Sequence, residues 1–108
     1  MTDLREDLDV LIMSSPVLML QFGEDTCGPC RAIRQKLDRW LEGQPGVCAR
    51  YVDIPSHLEL CSQRGIFAAP AVLVYMDGHL AAREAGVFSL EELLARIERY
   101  MVLRCDGA

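Results

Sequence analysis

Apolar positions along the chain repeat with two periods, and the switches between them give an order of elements. Leu4, Leu8, Leu11 and Ile12 recur at helical spacing behind Thr2 or Asp3, either of which can cap a first turn, and Ser14-Ser15-Pro16 stops the pattern. A helix is therefore expected over residues 3–13. Val17-Leu18-Met19-Leu20-Gln21-Phe22 is a nearly unbroken apolar run between Pro16 and Gly23, as in a strand covered on both faces. Beyond Cys27, the residues Ile33, Leu37, Trp40 and Leu41 keep one helical face apolar until Gly43 and Pro45. Residues 47–54 read as the next strand, so the helix between the two strands forms a right-handed crossover. Ser56-His57-Leu58-Glu59 has a capping-box pattern for a short helix ending near Gly65. Residues 71–76 and 79–85 flank Asp77-Gly78, a dipeptide suited to a tight hairpin turn. Ser89 and Glu92 repeat the capping pattern ahead of Leu90, Leu93, Leu94, Ile97 and Met101, which carry a closing helix to about Leu103.

The resulting order, α, β, α, β, α, β, β, α, predicts an α/β fold: a mixed four-stranded sheet with helices on both faces, in three layers α/β/α. Composition adds to this. A chain of 108 residues with 51% apolar content suits a single domain spanning residues 1–108. Its net charge of -5 repels phosphate backbones and anionic lipid, which argues against nucleic-acid and membrane partners. The start of the chain is acidic rather than basic and apolar, and no apolar run is long enough to span a bilayer, so a cytoplasmic setting is expected. In such a setting thiols stay reduced, and closely spaced cysteines are more often catalytic or metal-binding than structural. The five cysteines, Cys27, Cys30, Cys48, Cys61 and Cys105, are an odd number and do not suggest a stapling framework.

Cys27-Gly28-Pro29-Cys30 stands where the first strand passes into a helix. There the unpaired N–H groups of the first turn and the positive end of the helix dipole favour a thiolate at Cys27, the form that attacks a disulfide. Cys30, about one turn inward, is placed to attack the resulting mixed disulfide. Pro29 near the helix start has no N–H to leave unpaired and arrives with its φ preset. A lone Cys-x-x-Cys is also half of a zinc site, with His57 and Cys61, spaced i and i+4, as the other half. The lack of a second tight ligand pair weighs against this, and no metal or organic cofactor is expected. Cys48 and Cys61 read as small core residues, Cys105 as part of a frayed tail, and His57 and His79 as solvated groups near turns.

Phe22-Gly23-Glu24-Asp25-Thr26-Cys27-Gly28-Pro29-Cys30-Arg31 resembles the active-site segment of the thioredoxin family, particularly its small bacterial thioredoxin-like members. Arg64-Gly65-Ile66-Phe67-Ala68-Ala69-Pro70 resembles the loop carrying that family's cis-proline, and Gly78 and Gly86 follow at the family's spacing. The resemblance covers roughly residues 16–103 and implies a thioredoxin fold and a protein-disulfide reductase, with Cys27 attacking and Cys30 resolving. It further implies a substrate surface made by Gly28, Pro29, Ala69, Pro70 and Gly86, protein disulfides as substrates, and a thioredoxin reductase or other thiol reductant as partner to a monomer. Four positions depart from the pattern: Gln21 replaces a buried aspartate that helps move the resolving cysteine's proton, Tyr51 a nearby lysine, Thr26 a tryptophan, and Gln35 the proline that commonly kinks the active-site helix. Glu24 and Asp25 also add negative charge that opposes a thiolate at Cys27. These departures suggest an alternative, a non-catalytic binding or chaperone module that keeps the fold's peptide groove.

Overall fold

The computed structural model describes residues 1–106, with side chains through Arg104. Five strands form a mixed sheet in the order β1-β3-β2-β4-β5: β1 (Thr2–Asp3), β2 (Val17–Gly23), β3 (Val47–Asp53), β4 (Ala71–Met76) and β5 (His79–Ala85). β1 and β2 run parallel to β3, whereas β4 is antiparallel to both β2 and β5. Helices α1 (Leu8–Ser14), α2 (Gly28–Glu42), α3 (Leu58–Gln63) and α4 (Leu90–Asp106) complete the chain.

The expected four-stranded sheet thus gains a fifth, two-residue strand, and the first helix starts at Leu8 instead of residue 3. Leu4 is buried, but from an extended segment: its N–H donates to the Tyr51 carbonyl at 2.8 Å, continuing the β1–β3 ladder. A buried leucine in an extended segment happened to fall four residues before the first helical one. Asp7 is the actual cap, its carboxylate accepting the Val10 N–H at 3.2 Å. Ser56 does not cap α3 either. It lies in a short 3-10 turn and its hydroxyl donates to Asp53 at 2.6 Å, while His57 stands at the cap position without a side-chain bond. Ser89 does accept the Glu92 N–H, at 3.2 Å. The closing helix runs on to Asp106, so the backbone at Cys105 is helical, and its side chain lies outside the described residues.

The central strand β2 is buried along its whole length, and its alternation divides the core in two. Leu18, Leu20 and Phe22 face one way, packing with Leu8, Ile12, Val52, Cys61 and Ile66 beneath α1 and α3. Val17 and Met19 face the other way, packing with Leu37, Ala49, Val72, Leu93 and Ile97 beneath α2 and α4. By the same alternation Gln21 lies on the α2 side, in cross-strand register with Tyr51 of β3. The hairpin turns through Asp77 and Gly78, both at positive φ (51° and 84°), the geometry for which Asp-Gly is suited. Among the described residues no helix is long and apolar enough to cross a membrane.

Candidate active site

β2 ends at Gly23 and the chain turns at once, with the Cys27 N–H donating to the Glu24 carbonyl at 3.1 Å. Cys27 caps α2 from one residue outside it, rather than lying in the first turn, and its sulfur accepts the Cys30 N–H at 3.2 Å. A sulfur held against a helix N-terminal N–H is better placed as a thiolate than as a thiol. Cys27 and Cys30 are joined as a disulfide, with Cα atoms 5.3 Å apart. Their exposure differs: Cys27 is half-buried, whereas Cys30 is 1% exposed. The outer sulfur is thus open to solvent and the inner one is enclosed.

Beneath Cys30 the sequence pattern breaks with its apolar surroundings. Gln21, fully buried, donates from Nε2 to the Cys30 carbonyl at 2.7 Å, and its Oε1 has no hydrogen-bond partner among the described residues. A Cβ on Gly23 would collide with the Tyr51 hydroxyl and lie 3.1 Å from both Cβ and Sγ of Cys30, so only glycine leaves that space open. The Tyr51 ring is buried and capped by the Arg34 guanidinium, 4.2 Å from its centroid. Burial pushes the Tyr51 phenol up, keeping it protonated; Arg34 pulls the other way, and Asp53, Asp25 and Asp3 add to the rise.

The loop before β4 is held by its backbone. Both terminal nitrogens of Arg83 donate at 2.8 Å, to the carbonyls of Arg64 and Gly65, around a turn in which Gly65 has φ +71°. The Ala69–Pro70 bond is cis, as the resemblance implied, and the Gly86 N–H donates to the Pro70 carbonyl at 2.9 Å. Pro29, Ile33, Ala69, Pro70, Gly86 and Phe88 line one groove. Gly28, expected in the same surface, is not among the lining residues, and a Cβ there would meet nothing within 4 Å. Val87, also in the groove, is 104% exposed, and Phe67, three residues before Pro70, is 79% exposed. Neither is among the residues that the resemblance assigns to the substrate surface, although an apolar residue in a loop without periodic company is a usable signal for a contact surface.

Cys61 is buried on the α1 and α3 side, where burial first and Asp53 second push its thiol up. Cys48 is half-buried and accepts a long hydrogen bond, 3.5 Å, from Arg50. His57 is half-buried and His79 exposed. Among the described residues, no three His, Cys, Asp or Glu side chains gather where they could hold a metal ion.

The thioredoxin family model matches residues 3–99. The chain is 29% identical over 100 residues to a thioredoxin of Pseudomonas aeruginosa, with 90% of each chain covered. It is 31% identical over 99 residues to thioredoxin C-2 of Corynebacterium nephridii, with 91% of each covered. Among solved structures, Fasciola hepatica thioredoxin superposes with a TM-score of 0.76 at 26% identity, covering 85% of this chain and 89% of that one. The N21Q mutant thioredoxin of Halobacterium salinarum superposes with a TM-score of 0.78 at 23% identity, covering 92% and 88%. With its strand-to-helix dithiol, its five-stranded mixed sheet and a match over nearly its whole length, the chain belongs to the thioredoxin family and is a thiol-disulfide oxidoreductase.

Proposed function

We propose that this oxidoreductase works as a reductant of protein disulfides, as a single domain, 1–108, acting as a cytoplasmic monomer. The observation that carries the reading is the unequal exposure of the two cysteines, which flank in sequence a residue, Pro29, that lines a mostly apolar groove. The Cys27 thiolate attacks one sulfur of a substrate disulfide. That S–S bond breaks, Cys27 is joined to the substrate, and the displaced thiolate takes a proton from water. Cys30, deprotonated, then attacks the Cys27 sulfur, and the second substrate thiolate leaves and is protonated. The substrate has gained two electrons and two protons, and the Cys27–Cys30 disulfide holds the oxidising equivalent until a thioredoxin reductase or another thiol reductant restores the dithiol.

Pro29, Ala69, Pro70 and Gly86 supply the substrate surface, since all four line the groove beside the helix that carries the cysteines. Gly28 contributes by leaving the approach to Cys27 bare of side chain. Insulin reduction with dithiothreitol tests the reading: wild type accelerates it, Cys27→Ser does not, and Cys30→Ser accumulates a mixed disulfide with the substrate. Equal rates for wild type and Cys27→Ser would replace the reductase with the binding module.

A further inference from the structure

The family resemblance puts a carboxylate beneath the resolving cysteine, and here the residue is Gln21, whose Nε2 is already committed to the Cys30 carbonyl. An amide cannot take a proton from a thiol at neutral pH. Yet the inner sulfur is not without polar company. Gln21 and Tyr51 are register partners on the same face of the sheet, and the Tyr51 hydroxyl and Cys30 Sγ converge on one point, the place a Gly23 side chain would occupy. Three residues from three elements build this arrangement: the end of β2 gives up its side chain, β3 supplies the phenol, and α2 supplies the sulfur. Arg34, also from α2, lies over the phenol ring, which polarises its O–H as a donor. The other charged groups acting on the phenol are Asp53 on its own strand, Asp25 in the turn before Cys27, and Asp3 on β1. All three are acidic and keep the proton on the oxygen.

We propose that in the reduced protein the Tyr51 hydroxyl donates a hydrogen bond across the Gly23 gap to the Cys30 sulfur, stabilising its thiolate for the resolving step. The phenol is a donor, not a base. Cys30 loses its proton to water, its sulfur lone pair forms the bond to Cys27 as the Cys27–substrate bond breaks, and the departing substrate thiolate takes up a proton. Tyr51 keeps its own proton throughout. A hydrogen bond to a charged acceptor is among the stronger ones a protein makes, so a neutral side chain here performs by solvation what an adjacent carboxylate performs by proton transfer. The inference rests on the reductase reading, of which it concerns only the second step.

Stopped-flow measurement separates the steps: formation of the mixed disulfide reports Cys27, and its decay reports Cys30. In Tyr51→Phe, decay should be roughly tenfold slower at neutral pH, because the apparent pKa governing it rises by about one unit, and it should converge on wild type in alkali. Formation should be unchanged. A merely structural role would slow decay at all pH values alike. In parallel, NMR of ring-labelled tyrosine in the unmodified protein needs no variant to fold: the Tyr51 signal should follow the Cys30 titration in the reduced state and stay flat in the oxidised state. Decay in Tyr51→Phe with an unmoved pH profile, or a Tyr51 signal blind to reduction, overturns the proposal while leaving the reductase intact. Failure of the wild type to form a mixed disulfide overturns the reductase reading itself.

Discussion

Cys27 and Cys30 are one helical turn apart, but Cys27 meets a backbone donor and solvent, whereas Cys30 lies against Gln21 and Gly23 of one strand, with the Tyr51 hydroxyl of another across the space a Gly23 side chain would fill. The outer sulfur's environment is local, set by the start of a helix, and any chain that begins a helix with this tetrapeptide reproduces most of it. The inner sulfur's environment is tertiary, and each of its parts is a side-chain choice on a different element. Nucleophilic attack is thus a property of the motif, and resolution is a property of the fold beneath it.

The sharpest way to break this contrast is to charge the floor. Gln21→Asp would place a carboxyl at a fully buried position, remove the amide donor to Cys30, and raise the new group's pKa by desolvation. A rise of two to three units costs about 3–4 kcal/mol of stability at neutral pH. The sign follows from linkage: with the folded pKa above the unfolded one, the deficit opens as pH rises through the unfolded value and stops growing above the folded value. Denaturant unfolding across pH reads it. An unfolding midpoint at neutral pH equal to that of wild type would show that the floor admits water and is less enclosed than its burial implies.

A smaller effect compares two glycines of one segment. Gly23→Ala forces a methyl into the Tyr51 hydroxyl and against Cys30, and should cost about 1–3 kcal/mol, the range for overpacking. Gly28→Ala meets nothing, lies in the first turn of α2, and should be neutral or stabilise by up to about 1 kcal/mol through the unfolded chain. Thermal unfolding of both variants checks the pair. If Gly23→Ala is as harmless as Gly28→Ala, the inner sulfur is not confined as described.

The same division decides what could be read in advance. The strand-to-helix dithiol, Pro29 in the first turn, the Asp77-Gly78 hairpin and the Ser89 cap were all legible, because each depends on residues within a few positions of one another. β1 was not, because Leu4 satisfies a helical spacing while taking part in a sheet edge, and two residues of strand carry no period. Gln21 and Tyr51 stand out in the sequence as departures from a family pattern, but nothing in the sequence shows their convergence with Gly23 and Arg34. A glycine after an apolar run reads as the end of a strand, and only the packed structure shows what its missing side chain makes room for.

The mildest prediction tests whether the floor is also held from its far side. Glu6, in the link between β1 and α1, makes a bidentate contact with Arg50, the residue before Tyr51, at 2.6 to 3.2 Å, and this hydrogen bonding lowers its pKa from 4.5 to about 2. A carboxylate with a depressed folded pKa stabilises the native state above 4.5, and that contribution disappears as pH falls toward about 2. Glu6→Gln should therefore unfold slightly more easily than wild type at neutral pH, with the difference constant on the alkaline side and shrinking to nothing in acid. Asp77, whose pKa is lowered by Arg104, titrates in both proteins and cancels in the comparison. Glu6 is exposed, so the contact is screened by salt and the neutral-pH difference should narrow as ionic strength rises. Formation of the mixed disulfide at Cys27, which depends on the helix start alone, should be the same in both proteins. A deficit that does not change with pH would mean that Glu6 acts through packing, and a slower attack by Cys27 would mean that the outer sulfur, too, depends on the strand behind it.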